Sequence, residues 1–271
     1  MATMKVNGIE LYYEVHGPDR APTVVLSSGI LDDTSSWVNQ LALLKQNLRV
    51  IVYDYRGQGL SAHPPGPYTF EQHADDLAGL LERLHCARAH IVGAGYGAAI
   101  SIVFALRHPA RTQSLFVAGG VSQVDGNLAT IIAGWRDAAT RRDPELFFNV
   151  TTPFIFSPAW IRANPVPLMD LQERYYRLDF PAVARVCTCF LDLNISERLP
   201  EINAATCVVV GENDILSARD YAQVLVDAIP RAELHVVREA GHAVFRERTA
   251  EFATILLGFL NKQPRSSKEH P

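Results

Sequence analysis

Two residues of this chain could work together as a general base and the group that orients it. Asp214 closes the run Gly211-Glu212-Asn213-Asp214, and His242 follows 28 residues later in Gly241-His242. An imidazole titrates near neutrality and can take a proton from a hydroxyl or from water. A carboxylate behind it fixes the tautomer and the ring orientation. A third cluster, Gly93-Ala94-Gly95-Tyr96-Gly97, lies between an expected strand and an expected helix. Its outer glycines permit a sharp turn and a close approach of helix to strand. With serine at the centre the cluster would read G-x-S-x-G, a nucleophile elbow. The centre is Gly95, which offers no atom to attack a carbonyl. Ser101 is no substitute, because it lies six residues on, about 9 Å along the following helix at 1.5 Å per residue.

These clusters need a scaffold that presents loops at strand ends. Apolar runs at Ile9–Val15, Thr23–Leu26, Val50–Tyr53, His90–Val92, Leu115–Val117, Cys207–Val210 and Leu234–Val237 read as strands. Between them, Trp37, Leu41, Leu44 and Leu48 recur at helical spacing, as do Leu77, Leu80, Leu81 and Leu84. Ala98–Leu106, Tyr221–Ile229 and the face Phe252, Ile255, Leu256, Phe259, Leu260 complete the helices. Strands alternating with helices predict an α/β fold with a mostly parallel sheet covered on both faces. Gly95, Asp214 and His242 each follow a strand, so all three are expected at one sheet edge.

The alternation stops after Gly120. Residues 121–198 read as helices without a sheet strand and hold 10 of the chain's 24 aromatic residues. The expected organisation is a core of residues 1–120 and 199–262 with a helical lid at 121–198. Most lid aromatics are expected to form the lid's own core; Trp135, Phe154 and Trp160 are the candidates for contact with a substrate. The polar stretch Gln263–Pro271 is expected to be disordered.

Composition narrows the partners. The chain has 271 residues, 48% hydrophobic and 20% charged, within the range of an ordinary globular protein. A net charge of −4 argues against nucleic acid. No apolar run reaches 18 residues, and the first residues lack the apolar stretch of a signal peptide. Cys86, Cys187, Cys189 and Cys207 form no CxxC pair and have no histidine at metal-ligand spacing. They read as buried thiols of a cytoplasmic protein with no metal.

Taken together, Gly93-x-Gly95-x-Gly97, Asp54-x-Arg56-Gly57-x-Gly59-x-Ser61, Gly211-x-x-Asp214 and Gly241-His242 resemble the α/β-hydrolase fold superfamily over about residues 5–262. The order elbow, acid, histidine is that of the superfamily. Within it the chain is similar to 3-oxoadipate enol-lactonase-like hydrolases and to 3-hydroxyacyl-carrier-protein acyltransferases. The resemblance implies chemistry at ester, lactone or thioester carbonyls, without a cofactor. It implies an oxyanion hole from the backbone N–H groups of Tyr96 and Ile30. The substrate would be a small apolar or acyl compound, free or carried on a carrier protein. Many relatives have His-Gly where this chain has Ser28-Gly29.

Alternatives stay open at several positions. Glu212 and Asp125 compete with Asp214 for the acid role, and Asp214 could serve as a turn or N-cap residue. Arg56 reads as a tie between the glycine-rich turn and neighbouring loops, and Ser27 and Ser28 as turn stabilisers. The other eight histidines lack comparable context. Gly93-x-Gly95-x-x-Ala98 mimics a dinucleotide fingerprint, but it is not on the first strand–helix unit, and no acidic residue ends a suitable next strand. Gly95 leaves three readings. The first, favoured by the sequence, is an inactive variant of a serine enzyme. The others are a ligand-binding pseudo-enzyme and a protein that keeps His242 and Asp214 for non-covalent work such as elimination, cyclisation or activation of water.

Overall fold

A computed structural model describes residues 2–264. Residues 265–271, most of the polar stretch expected to be disordered, lie outside the described residues. Eight strands form one sheet: β1 (Ala2–Val6), β2 (Ile9–His16), β3 (Thr23–Ser27), β4 (Arg49–Tyr53), β5 (Ala89–Ala94), β6 (Thr112–Ala118), β7 (Thr206–Gly211) and β8 (Ala232–Val237). Their spatial order is β1-β2-β4-β3-β5-β6-β7-β8. β1 and β2 pair antiparallel, β2 runs antiparallel to β4, and every later pair is parallel. β3, β5 and β7 are buried along their whole length, which is why they read as unbroken apolar runs rather than alternating ones.

The sequence reading missed β1. It is short and mostly exposed, so no apolar run marks it. A signal was present all the same: Asn7 and Gly8 both have positive φ, +47° and +83°, and Asn-Gly favours the two-residue hairpin turn that joins β1 to β2.

Helices cover both faces. One is covered by α1 (Val38–Leu44), the other by α2 (Phe70–Arg83) and α3 (Tyr96–Arg107). α2 starts at a capping box, with the Thr69 hydroxyl accepting from the Gln72 N–H and the Gln72 side chain accepting from the Thr69 N–H. Between β6 and β7 come α4 (Gly126–Arg141), α5 (Pro144–Ile155), α6 (Pro158–Ala163), α7 (Pro165–Tyr175) and α8 (Phe180–Leu191). Residues 121–198 add no strand to the sheet; an isolated bridge between Gln123 and Asn194 draws their two ends together. The rest of the fold is α9 (Arg219–Ala228), α10 (Val244–Glu247) and α11 (Thr249–Asn261).

Phe147, Tyr175 and Phe180 pack on one another within the insertion, with ring centroids 5.7 and 5.5 Å apart. Polar contacts tie the insertion to the core, among them Arg174 to Asp33 (2.8 Å), His63 to Asp179 (2.8 Å), Arg185 to the Tyr68 hydroxyl (3.1 Å) and the Ser157 hydroxyl to Glu247 (2.6 Å). Among the described residues, no helix is long and apolar enough to cross a membrane.

Candidate active site

The loops after β3, β5, β6 and β7 and the loop after β8 meet over one end of the sheet, under the insertion. Asp214 is buried and accepts four hydrogen bonds. Its Oδ1 accepts from the N–H groups of Leu216 and Ser217 (both 2.9 Å), and its Oδ2 from the Ser217 hydroxyl (2.9 Å) and from Nδ1 of His242 (3.0 Å). The Ser217 hydroxyl is itself 3.0 Å from His242 Nδ1. Burial works against the charged carboxylate, but the His242 charge and these donors outweigh it and hold Asp214 below the usual carboxylate range. Burial likewise works against a charged imidazole, but the Asp214 carboxylate and its hydrogen bond outweigh that and raise His242 above its ordinary value.

Nε2 of His242 points at the elbow. Gly95 has φ +54° and ψ −118°, a conformation that L residues rarely adopt. A Cβ placed there would lie 3.0 Å from His242 Nε2 and 3.8 Å from Gly29 Cα. The elbow thus has the strained backbone and the facing imidazole of a nucleophile site, with no side chain between them. On the far side of the ring, a Cβ at Gly119 would come within 2.7 Å of His242 Cε1, so only glycine leaves room for the imidazole there.

Tyr96 opens α3 and Ile30 follows Gly29. Both line the cavity, and among the described residues neither backbone N–H has an acceptor. Two groups steady these donors. Gln58 Nε2 donates to the Gly29 carbonyl (2.6 Å), one residue before the Ile30 N–H. The Tyr96 hydroxyl is 2.9 Å from Nε2 of His73, whose burial pushes it down to about 3 and keeps it neutral. The arrangement can take a proton at Nε2 and hold a negative oxygen at two free amides and a helix N-terminus.

The cavity has mostly apolar walls. It brings together Gly95, Asp214 through His242, Ile30, Tyr96 and Trp135. Phe154 and Trp160 require correction: neither lines it. Phe154 lies behind Trp135 (centroids 6.4 Å apart), and Trp160 stacks on the outside of Phe156 (4.3 Å), which takes the wall position. Aromatic density marks the insertion, but it does not say which rings face inward.

The rival acids are occupied elsewhere. Asp125 caps α4 and accepts from Tyr221, and Glu212 accepts from the Glu239 N–H. Arg56 grips Asp76 on α2 through two bonds of 2.6 and 2.9 Å, so it ties the turn to a helix rather than to loops. The Ser28 hydroxyl accepts from Trp37 Nε1 and that of Ser27 meets Tyr53, so both brace the fold. Ser101 donates to the Gly97 carbonyl within α3. All four cysteines are free and buried. The sulfur of Cys207 and ligand atoms of Glu233 and His235 lie within 4.8 Å of one another, a meeting across β7 and β8 that linear spacing did not show. Lys262 already binds Glu233 there at 3.2 Å.

Ser217, Gly119, Gln58 and His73 were not singled out from the sequence. Only Ser217 had a signal, since a serine three residues beyond Asp214 can close a turn on its carboxylate.

Residues 24–255 match the alpha/beta hydrolase family. This chain belongs to that family. Among its relatives is RutD of Stutzerimonas stutzeri, a candidate carbamate hydrolase, 32% identical over 266 residues that cover 93% of this chain and 97% of that one. Among solved structures, the enol-lactonase of Burkholderia xenovorans LB400 superposes with a TM-score of 0.90 at 28% identity, covering 96% of this chain and all of the other. A thermophilic esterase from Thermogutta terrifontis, its structure bound to malate, gives 0.87 at 26% identity, with 96% of each chain covered. The α/β-hydrolase resemblance read from the four motifs therefore holds for fold and family.

Proposed function

We propose that this hydrolase cleaves small esters or carbamates with a water molecule activated by His242, without an acyl-enzyme. One observation carries the reading: His242 Nε2 faces the elbow across a Gly95 that has no side chain, while its Nδ1 side keeps a full set of partners in Asp214 and Ser217. In the proposed step, water gives a proton to Nε2 as its oxygen bonds to the carbonyl carbon. The carbonyl π electrons move to oxygen, which the Ile30 and Tyr96 N–H groups stabilise. The tetrahedral adduct then expels the leaving group, which takes the proton back from His242. Asp214 holds the ring and offsets its transient charge.

The relatives favour carbonyl hydrolysis over acyl transfer from a carrier protein. The apolar walls, with Trp135 among them, suit a short acyl part, and α4–α8 serve as the lid. The glycine itself supports the inactive-variant reading, because loss of the serine in a serine hydrolase costs about 10⁶ in rate.

Turnover of a p-nitrophenyl acetate and of a p-nitrophenyl carbamate separates the two. Water activation predicts steady release without a burst, no covalent adduct by intact mass, and loss of turnover in His242→Gln. Turnover no greater than that of His242→Gln would leave the inactive-variant reading standing.

A further inference from the structure

Cys207, Glu233 and His235 meet across the last two strands of the sheet, outside the cavity. In the parallel register Cys207 stands opposite Glu233, and Val209 opposite His235. All three side chains therefore project from one face of the sheet, the face packed by α11. Cys207 lies near the start of β7, whereas Asp214 lies beyond its end, so the cluster sits away from the catalytic loops.

One ligand atom from each of the three residues lies within 4.8 Å of the other two. His235 Nε2 and Glu233 Oε1 are 3.4 Å apart. Two nitrogen or oxygen ligands about 2.0–2.1 Å from a tetrahedral ion stand roughly 3.3 Å apart, and sulfur stands roughly 3.6 Å from either. The sulfur is fixed in the core, but the Glu233 and His235 side chains are 39% and 37% exposed and can close the remaining distance of about 1 Å.

The site already attracts a cation. Lys262, at the end of α11, places Nζ 3.2 and 3.3 Å from the two Glu233 oxygens. Its side chain is 62% exposed, and an ion pair in such a place holds weakly. Cys207 is free, and burial together with the Glu233 charge pushes its thiol up, so on its own it is protonated and inert. A coordinating thiol gives up its proton to solvent. An ion of charge +2 would then replace two single positive charges, the Lys262 ammonium and the thiol proton. Thiolate, carboxylate and neutral imidazole balance that ion. Sulfur, nitrogen and oxygen together suit zinc, whereas magnesium and calcium take oxygen alone.

We propose that Cys207, Glu233 and His235 bind a zinc-type divalent ion, with water in the fourth position, and that the ion clips the edge strand β8 to β7. Lys262 is the exchangeable occupant, releasing Glu233 when the ion arrives. The inference is independent of the reaction proposed above.

Cobalt(II) is titrated into the wild-type chain, freed of metal with a chelator and kept reduced, and zinc is then added in competition. One cobalt should bind per chain, with sulfur-to-cobalt charge-transfer absorption and the strong visible bands of a four-coordinate site, and zinc should erase both. Cys207→Ser should lose the charge-transfer absorption even though Cys86, Cys187 and Cys189 remain. His235→Ala changes a partly exposed position and spares the core; it should weaken cobalt binding by more than about 10-fold. Lys262→Ala should tighten it about 2- to 5-fold, because no ammonium then competes for Glu233. Zinc should raise the melting temperature of the wild type and leave that of His235→Ala unchanged. A wild type without charge-transfer absorption, absorption that persists in Cys207→Ser, or cobalt affinity unchanged in His235→Ala overturns the proposal.

Discussion

The two sides of the cavity differ in what they retain. On the histidine side, Asp214 accepts four hydrogen bonds, Ser217 bridges acid and base, and Gly119 clears space for the ring. On the elbow side the strained turn and two free amides are in place, but the atom that would use them covalently is missing. Basicity and nucleophilicity are separate properties of this fold. The first is built by a network of buried polar groups, each of which would be costly to leave unpaired. The second depends on one side chain.

The largest effect should come from removing the base. His242→Ala is expected to lower the turnover of an activated ester by roughly 10²- to 10⁴-fold, measured as kcat/KM, with secondary structure by circular dichroism unchanged. A smaller loss would break the distinction drawn between the two sides.

Next in size is the return of the hydroxyl. Gly95→Ser should create a nucleophile facing Nε2, seen as a burst on p-nitrophenyl acetate and an acyl adduct in the mass spectrum. The added Cβ stands 3.0 Å from Nε2, so the ring has to retreat by a few tenths of an ångström. A serine at φ +54° is strained, and the variant should lose about 1–3 kcal/mol of stability by denaturant titration. A folded variant with neither burst nor adduct would mean that the histidine side is not arranged for hydrolysis.

The pH dependence sharpens the same contrast. The base acts when neutral, and its value is raised, so kcat/KM should climb with pH through a midpoint above the ordinary histidine value of about 6.5. Asp214→Asn should move that midpoint down. The raised His242 contributes fully to stability below about 6.5, and its contribution fades as pH rises through the folded value. The lowered Asp214 contributes above about 3.9 and fades as pH falls through its folded value. The difference in melting temperature between wild type and His242→Gln should therefore be widest between those limits. A difference that does not vary with pH would show that the pair is not coupled to folding.

The smallest effect separates a wall residue from one behind it. Trp135→Leu should raise KM for an acyl ester several-fold, while Phe154→Leu should leave KM within about two-fold and act on stability by about 1 kcal/mol. Equal shifts in KM would mean that the wall extends beyond the rings that line it.

Much of this was legible because burial on both faces leaves an unbroken apolar strand, and because glycine, acid and histidine stand at strand ends in a fixed order. The hairpin strand Ala2–Val6 escaped because most of its side chains face water and carry no apolar signature. Gln58 and His73 escaped for a different reason. Their roles come from encounters between segments 29 and 23 residues apart, Gln58 with Gly29 and His73 with Tyr96, and no local pattern marks such a meeting. Phe154 and Trp160 were named on density alone, and density does not distinguish a ring that faces a hollow from one that faces its neighbours.

The insertion is joined to the histidine loop along one edge. The Ala243 N–H donates to the Ile155 carbonyl (2.9 Å), and Glu247 takes both the N–H and the hydroxyl of Ser157 (2.9 and 2.6 Å). That seam fastens the roof to the segment that carries the imidazole. If the insertion acts as a lid, lifting it there would drag the base out of register with every arriving molecule, so the gap is expected on the opposite side, where the contacts of Arg174 with Asp33, Asp179 with His63 and Arg185 with Tyr68 would have to part.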